Sequence, residues 1–216
     1  MKAKSSRGAS TRQRILETAA KLVNLNGVNG TSVDDVLSAS GTGKSQFYHY
    51  FANKEALVKE LIEFHAAGLP AAQESVLTGL ESMAGINSWL DQIIADYHAG
   101  LYANGCPLGN LANELATTSE HLRLNLQATF ANWESSLTRG LKSLQLSGQI
   151  RRDFDAAQMA TFCIAAIEGA LLLAKTEKSV SPLKATVEQI KAMLKVSSIG
   201  GTKLKPRPTT GFTFCP

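Results

Sequence analysis

Ser40-Gly41-Thr42-Gly43-Lys44-Ser45-Gln46-Phe47-Tyr48-His49-Tyr50-Phe51-Ala52-Asn53-Lys54-Glu55-Ala56-Leu57 is the stretch whose reading decides the fold. Ser40-Gly41-Thr42 is a tight turn signal, and Thr42 is a good N-cap, so a short helix is predicted through Phe47, Tyr48 and Phe51. Asn53 then caps a longer helix from Lys54 that carries Leu57, Leu61 and Phe64. Upstream, another short helix begins near Thr31-Ser32, where Asp34 and Asp35 are placed to accept capping hydrogen bonds and to offset the helix dipole. Before it, Ile15, Ala19, Leu22 and Val23 share one helical face, and Asn26-Gly27 supplies a left-handed stop. Turning Val33, Val36, Leu37, Phe47, Tyr48 and Phe51 toward that first helix gives a small shared core with the shape of a helix-turn-helix.

The same periodicity continues outward, and no stretch alternates convincingly with period two, so the chain is read as all-α with about nine helices. Trp89, Ile93, Tyr97 and Leu101 form one stripe, Pro107 opens a helix with Leu108, Leu111 and Leu115 inward, and Leu122, Leu126, Phe130, Trp133, Leu137, Leu141 and Leu144 define the longest one. From Asp155 to Ala174 the pattern is apolar nearly all round, with Gln158 and Glu168 the strongly polar residues, which predicts a helix buried on most sides. A last helix from Ser181-Pro182 carries Leu183, Val187, Ile190 and Leu194 on one face. The expected organisation is a basic disordered arm over 1–10, a three-helix helix-turn-helix domain over 11–54, a larger helical domain over 55–198 and a linker-like tail over 199–216.

The chain has 216 residues, 44% of them hydrophobic and 19% charged, which excludes a disordered or collagen-like protein and needs no disulfide or metal staple. The longest stretch without a charged side chain, 97–113, is broken by glycines, asparagines and Pro107 and cannot be a spanning helix. The positive N-terminus is followed by no apolar run of signal-peptide length, so the expectation is a cytoplasmic protein that does not engage a membrane. Net charge is +4, unevenly spread: nine Lys and Arg face six Asp and Glu over 1–63, eight face twelve over 64–190, and five face none over 191–216. Lys2, Lys4, Arg7, Arg12 and Arg14 precede any acid, a distribution suited to a polyanion.

With its apolar residues inward, the helix after Thr42 presents Lys44, Ser45, Gln46 and His49 outward. Lys can bond guanine O6 and N7, Gln can pair with adenine N6 and N7, and Thr42, Tyr48, His49 and Lys54 at the rim can meet phosphates. Residues 27–57, above all Phe47-Tyr48-x-x-Phe51-x-x-Lys54-Glu55-x-Leu57, resemble the DNA-binding domain of tetracycline-repressor-like (TetR family) transcriptional regulators, tightly over about 10–62. One departure is Tyr50, where many relatives have His. The resemblance implies a homodimer joined through its last two helices, about 155–198 here, with two reading heads on a pseudo-palindromic double-stranded operator. It also implies a second domain whose small-molecule effector releases the operator.

For the sensor, Trp89, Tyr97, Tyr102, Phe130, Trp133 and Phe162 can line an apolar cavity or serve as ordinary core. Three cysteines at 106, 163 and 215 have no zinc-ligand spacing, so neither metal nor cofactor is expected. Cys163 reads as buried and inert, whereas Pro107 at the first helical position puts Cys106 at the N-cap, where the helix dipole is expected to lower its pKa. Gly105-Cys106-Pro107-Leu108-Gly109-Asn110-Leu111 resembles the Gly-Cys-x-x-Gly-Asn-Leu stretch of a subset of TetR regulators, some of which respond to electrophiles or oxidants, and Lys175 is a candidate cation near such a thiolate. The sensor candidates are therefore Cys106, Lys175, Trp89, Tyr102 and Trp133, set against a purely non-covalent apolar ligand.

Two other classes of function fit less well. No enzyme is expected: His49, His65, His98 and His121 are scattered, and Gly41-Thr42-Gly43-Lys44-Ser45 lacks both the first glycine of a nucleotide-binding loop, position 38 being serine, and a preceding strand. A helical adaptor without DNA affinity is weighed down by outward Lys44, Gln46, His49 and Lys54.

Overall fold

The computed structural model describes residues 3–77 and 79–195, with side chains described over 10–67 and 79–195. Among these residues there are nine helices and no strand: α1 Ala3–Asn26, α2 Val33–Ser40, α3 Lys44–Tyr50, α4 Lys54–Leu77, α5 Met83–His98, α6 Pro107–Leu115, α7 Glu120–Leu146, α8 Ala156–Glu177 and α9 Ser181–Leu194. The tail over 199–216 lies outside the described residues. The helix begins inside the segment expected to be a disordered arm, because no proline between Ala3 and Asn26 interrupts propagation.

α1, α2 and α3 close over Ile15, Ala19, Val36, Leu37, Phe47 and Phe51, all buried. Ser32 caps α2 through a reciprocal capping box with Asp35: Ser32 N–H donates to Asp35 Oδ2 at 2.8 Å and Asp35 N–H to Ser32 Oγ at 3.1 Å. Asn53 Oδ1 accepts from Ala56 N–H at 2.8 Å and starts α4, which packs against α1 and runs on against α5, α6 and α7. α7, α8 and α9 pack side by side, burying Leu137, Leu141 and Leu144, Cys163 and Leu171, and Leu183, Val187, Ile190 and Leu194.

α6 joins the two parts. Its Glu114 carboxylate accepts from the backbone N–H groups of Val28 (2.9 Å) and Asn29 (3.3 Å) in the turn after α1. That turn requires Gly27: its φ is +76°, and a Cβ there would lie 2.5 Å from Glu114 Oε1. Asn110 Nδ2 adds a bond to Asn24 Oδ1 at 3.4 Å.

Three expectations are corrected. Leu101 lies beyond the end of α5 and is exposed, while Ile93, Trp89 and Tyr97 of the same stripe pack inward and Ile86 and Leu90 join them. Tyr48 is 55% exposed, because Phe47 and Phe51 already fill the space beneath α3. α8 is buried on one side only; its other side leaves Phe162, Leu172 and Leu173 open, a contiguous apolar face of the kind that marks an interaction surface. By length and composition alone α8 could cross a membrane, yet here it is a packing helix between α7 and α9.

Candidate nucleic-acid interface and effector cavity

The outward surface of α3 is polar for a packing reason. Seven residues make two turns, Phe47 points into the head with no exposure, and the residues on either side of that direction must face solvent. Ser45, Gln46, Tyr48 and His49, joined by half-buried Tyr50, line one shallow concavity. Tyr48 stands edge-on to Phe47 with ring centroids 5.3 Å apart, and His49 edge-on to Tyr50 at 4.8 Å, so both rings are propped from below. Lys44 Nζ lies 3.2 Å from Asp34 Oδ1, an exposed pair that a phosphate or base can displace at little cost.

Gly43, not Thr42, is the N-cap of α3, and Gln46 Oε1 reaches back to accept from Gly43 N–H at 3.2 Å. Thr42 is buried, with its hydroxyl 2.6 Å from that of Ser40, so it fastens the turn and does not present an oxygen to solvent. Lys54, in the first turn of α4, is half-buried. Its charge lies near Asp35, whose carboxyl is held below the usual range chiefly by the Ser32 hydrogen bonds. Two of the early cations are also structural. Arg12 pairs with Glu60 and lies over the Phe51 ring, and Arg14 Nε donates to Ser40 O at 3.0 Å.

Four of the five sensor candidates meet in the second part of the molecule. Trp89, Tyr102, Cys106 and Trp133 line one cavity of about 60 Å³, together with Ile93, Ile164 and Glu168. Lys175 does not reach it: its Nζ donates to Asn110 Oδ1 at 3.5 Å, and its chain packs beside Gly105. On the far side of Cys106 and Glu168 an open cleft of about 430 Å³ runs past Asn110, Phe130, Gly169 and Leu172, so these two residues form the wall between cleft and cavity.

Cys106 is the N-cap of α6 as expected, its Sγ accepting from Gly109 N–H at 3.5 Å. The expected direction of its pKa is reversed. Burial pushes the thiol well above its ordinary value, and the Glu168 carboxyl beside it pushes the same way. The Gly109 and Leu108 N–H groups pull downward and lose, because the helix end is closed to water. Burial also raises Glu168 above the usual carboxylate range and Tyr102 above the usual phenol range. Cys163, almost fully buried, is pushed up to about 12 by burial and belongs to the core.

Glu168 is the site residue that sequence reasoning missed as a functional group. Its signal was a single carboxylate within an otherwise apolar helix, and what that carboxylate faces is set by how α8 packs between α7 and α9. Its Oε2 comes so near α6 that a Cβ on Gly109 would lie 2.2 Å away, so glycine at 109 makes the approach possible. No group of three or more metal-ligating side chains occurs among the described residues.

Residues 15–61 match the family model for bacterial regulatory proteins of the tetR family, and residues 82–189 match that for the LmrA/YxaF-like transcriptional regulator C-terminal domain. An uncharacterized HTH-type transcriptional regulator from the lacX 3' region of Lactococcus lactis subsp. lactis is 30% identical over 187 residues, 84% of this chain and 92% of that one. The HTH-type transcriptional repressor NemR of Escherichia coli (strain K12) is 26% identical over 88% of this chain and 96% of its own. The crystal structure of the reduced form of E. coli NemR superposes with a TM-score of 0.76 at 23% identity, over 86% of this chain and 98% of that one. The packed helix-turn-helix, the helical second part and these matches along both lead to one conclusion: the chain belongs to the TetR family and is a helix-turn-helix, DNA-binding regulator of transcription.

Proposed function

We propose that this regulator is a cytoplasmic repressor released from its operator when a thiol-reactive electrophile or oxidant modifies Cys106. The observation that carries the reading is the placement of Cys106 in the wall of an aromatic cavity, open to a cleft on its other side. Modification there adds volume at the start of α6, whose Glu114 holds the turn between α1 and α2. A displaced α6 therefore has a direct mechanical route to the reading head. Lys175, tied to Asn110 three residues into α6, belongs to the same effector site at its outer edge.

Operator contact is assigned to Lys44, Ser45, Gln46, Tyr48, His49 and Lys54, with Thr42 holding the turn that aims them. Residues 11–54 form the reading unit and 55–198 the sensing and dimerisation unit. The exposed apolar face of α8, with α9 beside it, supports a homodimer whose two heads read a pseudo-palindrome. Operator affinity is expected to fall steeply with salt, by about 0.9 in log affinity per log salt for each phosphate contacted.

The test is fluorescence anisotropy of the protein on its own upstream DNA, before and after stoichiometric N-ethylmaleimide, with wild type beside Cys106→Ser. Release of wild type alone supports the thiol switch. Persistence of both on DNA after modification rejects it and favours a second reading, a non-covalent effector. That alternative has its own support in the apolar walls of the cavity and in a thiol that burial keeps protonated.

A further inference from the structure

We infer that Glu168 is the proton acceptor that lets Cys106 react, and that the pair selects uncharged electrophiles carrying a carbon–carbon double bond conjugated to a carbonyl. The inference rests on the thiol reading above and names the chemistry of that site.

A cysteine in this position has no easy route to its nucleophilic form. Cys106 is buried, so a free thiolate would be poorly solvated, and it would stand as a second negative charge beside the Glu168 carboxylate. The neighbours offer no compensating cation. From α8, Glu168 faces the thiol, while Lys175 is engaged with Asn110. From the segment before α6, Tyr102 faces it as a neutral phenol, with Asp96 of α5 acting on Tyr102 from behind. From α7 the cavity and cleft receive Phe130, Trp133 and Leu137, none of them charged.

What the geometry does offer is a carboxylate beside the thiol: Glu168 and Cys106 line the same cavity and the same cleft, and Glu168 Oε2 and the Cys106 Cβ both lie against Gly109, so that the oxygen cannot retreat toward α6. The step then conserves charge. As Sγ bonds to the β-carbon of the electrophile, the thiol proton passes to Glu168, and the double-bond electron pair moves onto the carbonyl oxygen as an enolate. Glu168 returns the proton to the enolate and is again a carboxylate. The net result is addition of S–H across the double bond, with no oxidant and never more than one negative charge in the site. An anionic electrophile would bring a second charge past Glu168, and the cavity lining beyond it carries no cation to receive it, Lys175 standing at the outer edge of the cleft on Asn110. Glu168 thus acts as a general base whose raised pKa places its ionisation nearer neutrality.

The test uses the full-length protein, N-ethylmaleimide as probe, and mass spectrometry of the Cys106 peptide from pH 5.5 to 9, for wild type, Glu168→Gln and Glu168→Asp. Wild type is expected to react at a rate that is level with pH wherever Glu168 is ionised, in place of a rate that climbs with hydroxide. Glu168→Gln is expected to be slower by at least about tenfold at pH 7, with a rate proportional to hydroxide and no plateau. Glu168→Asp restores the plateau at a lower height. If the carboxylate merely repels the thiolate, Glu168→Gln reacts as fast as wild type or faster, and the inference is overturned. An unfolding midpoint near that of wild type shows that the Gln variant folds. Should it fail to fold, a wild-type rate proportional to hydroxide over the whole range overturns the inference without it. Failure of the thiol switch is read separately: Cys106 alkylated without operator release rejects the switch and leaves Glu168 as base.

Discussion

α3 and α6 are the two short helices to which recognition and sensing are assigned in the proposed function, and each starts at a residue outside the usual serine, threonine and aspartate caps. At Gly43 the helix end is open to solvent, and at Cys106 it is enclosed. The peptide dipoles are alike, but their consequences are opposite. Open N–H groups at α3 remain available to an anion, whereas at α6 the loss of water and the nearness of Glu168 outweigh the dipole and drive the thiol upward. A helix terminus therefore sets a site's electrostatics only where solvation does not set it first. Stability and recognition also divide differently. In α3 they occupy opposite faces, Phe47 inward and Lys44 outward, while in α6 the group proposed to react, Cys106, is itself part of the core.

The strongest way to break this contrast is Phe47→Ala. Removing a ring with no exposure should cost about 3–5 kcal/mol, read as a shifted urea midpoint, and should abolish operator binding. Lys44→Ala, by comparison, should leave the midpoint within about 0.5 kcal/mol while weakening operator binding, because its ion pair with Asp34 is exposed. Equal midpoint shifts in the two variants would show that the faces are not separable.

The junction between the two regions carries the next effect. His65 sits among Val23, Asn24, Pro107 and Glu114, and burial lowers its pKa from 6.5 to about 4. The folded state thus favours neutral His65. As pH falls below about 6.5 the unfolded chain takes up the proton first, and stability drops until the folded imidazole protonates near 4. About 3 kcal/mol should be lost across that window, measured by urea unfolding at pH 7, 5 and 4. His65→Leu should flatten the dependence; an unchanged slope would place the acid sensitivity elsewhere.

The smallest effect is at Thr42. Thr42→Val removes a buried hydroxyl bonded to Ser40 and should cost about 1–2 kcal/mol of stability by the same urea assay. A variant as stable as wild type but weak on DNA would return Thr42 to the role of a phosphate contact.

Much of this was legible in the residues. The spacing of Leu108, Leu111 and Leu115 and of Leu183, Val187, Ile190 and Leu194 identified buried faces that the structure confirms, and Pro107 correctly located the N-cap at Cys106. Of the six aromatics offered as cavity lining or ordinary core, Trp89, Tyr102 and Trp133 meet around one cavity, whereas Phe130 lines the cleft, Tyr97 packs against the core and Phe162 is exposed. Thr42 and Tyr48 were harder, because an N-cap and its neighbour have equivalent sequence signals, and an aromatic beside two others fits the core only if space remains. The environment of Cys106 was not legible at all, since Glu168 is distant in sequence and arrives through the packing of α8.

The sequence by itself determined the helices, the caps at Ser32, Asn53 and Cys106 and the polar face of α3, because hydrogen bonding and side-chain period within a helix are local and repeat every few residues. Only the tertiary structure decided which side of α8 is covered, which hydroxyl turns inward, and whether the α6 terminus lowers or raises its thiol. Those outcomes depend on water excluded and charges brought near by segments far apart in the chain, and no local pattern encodes them.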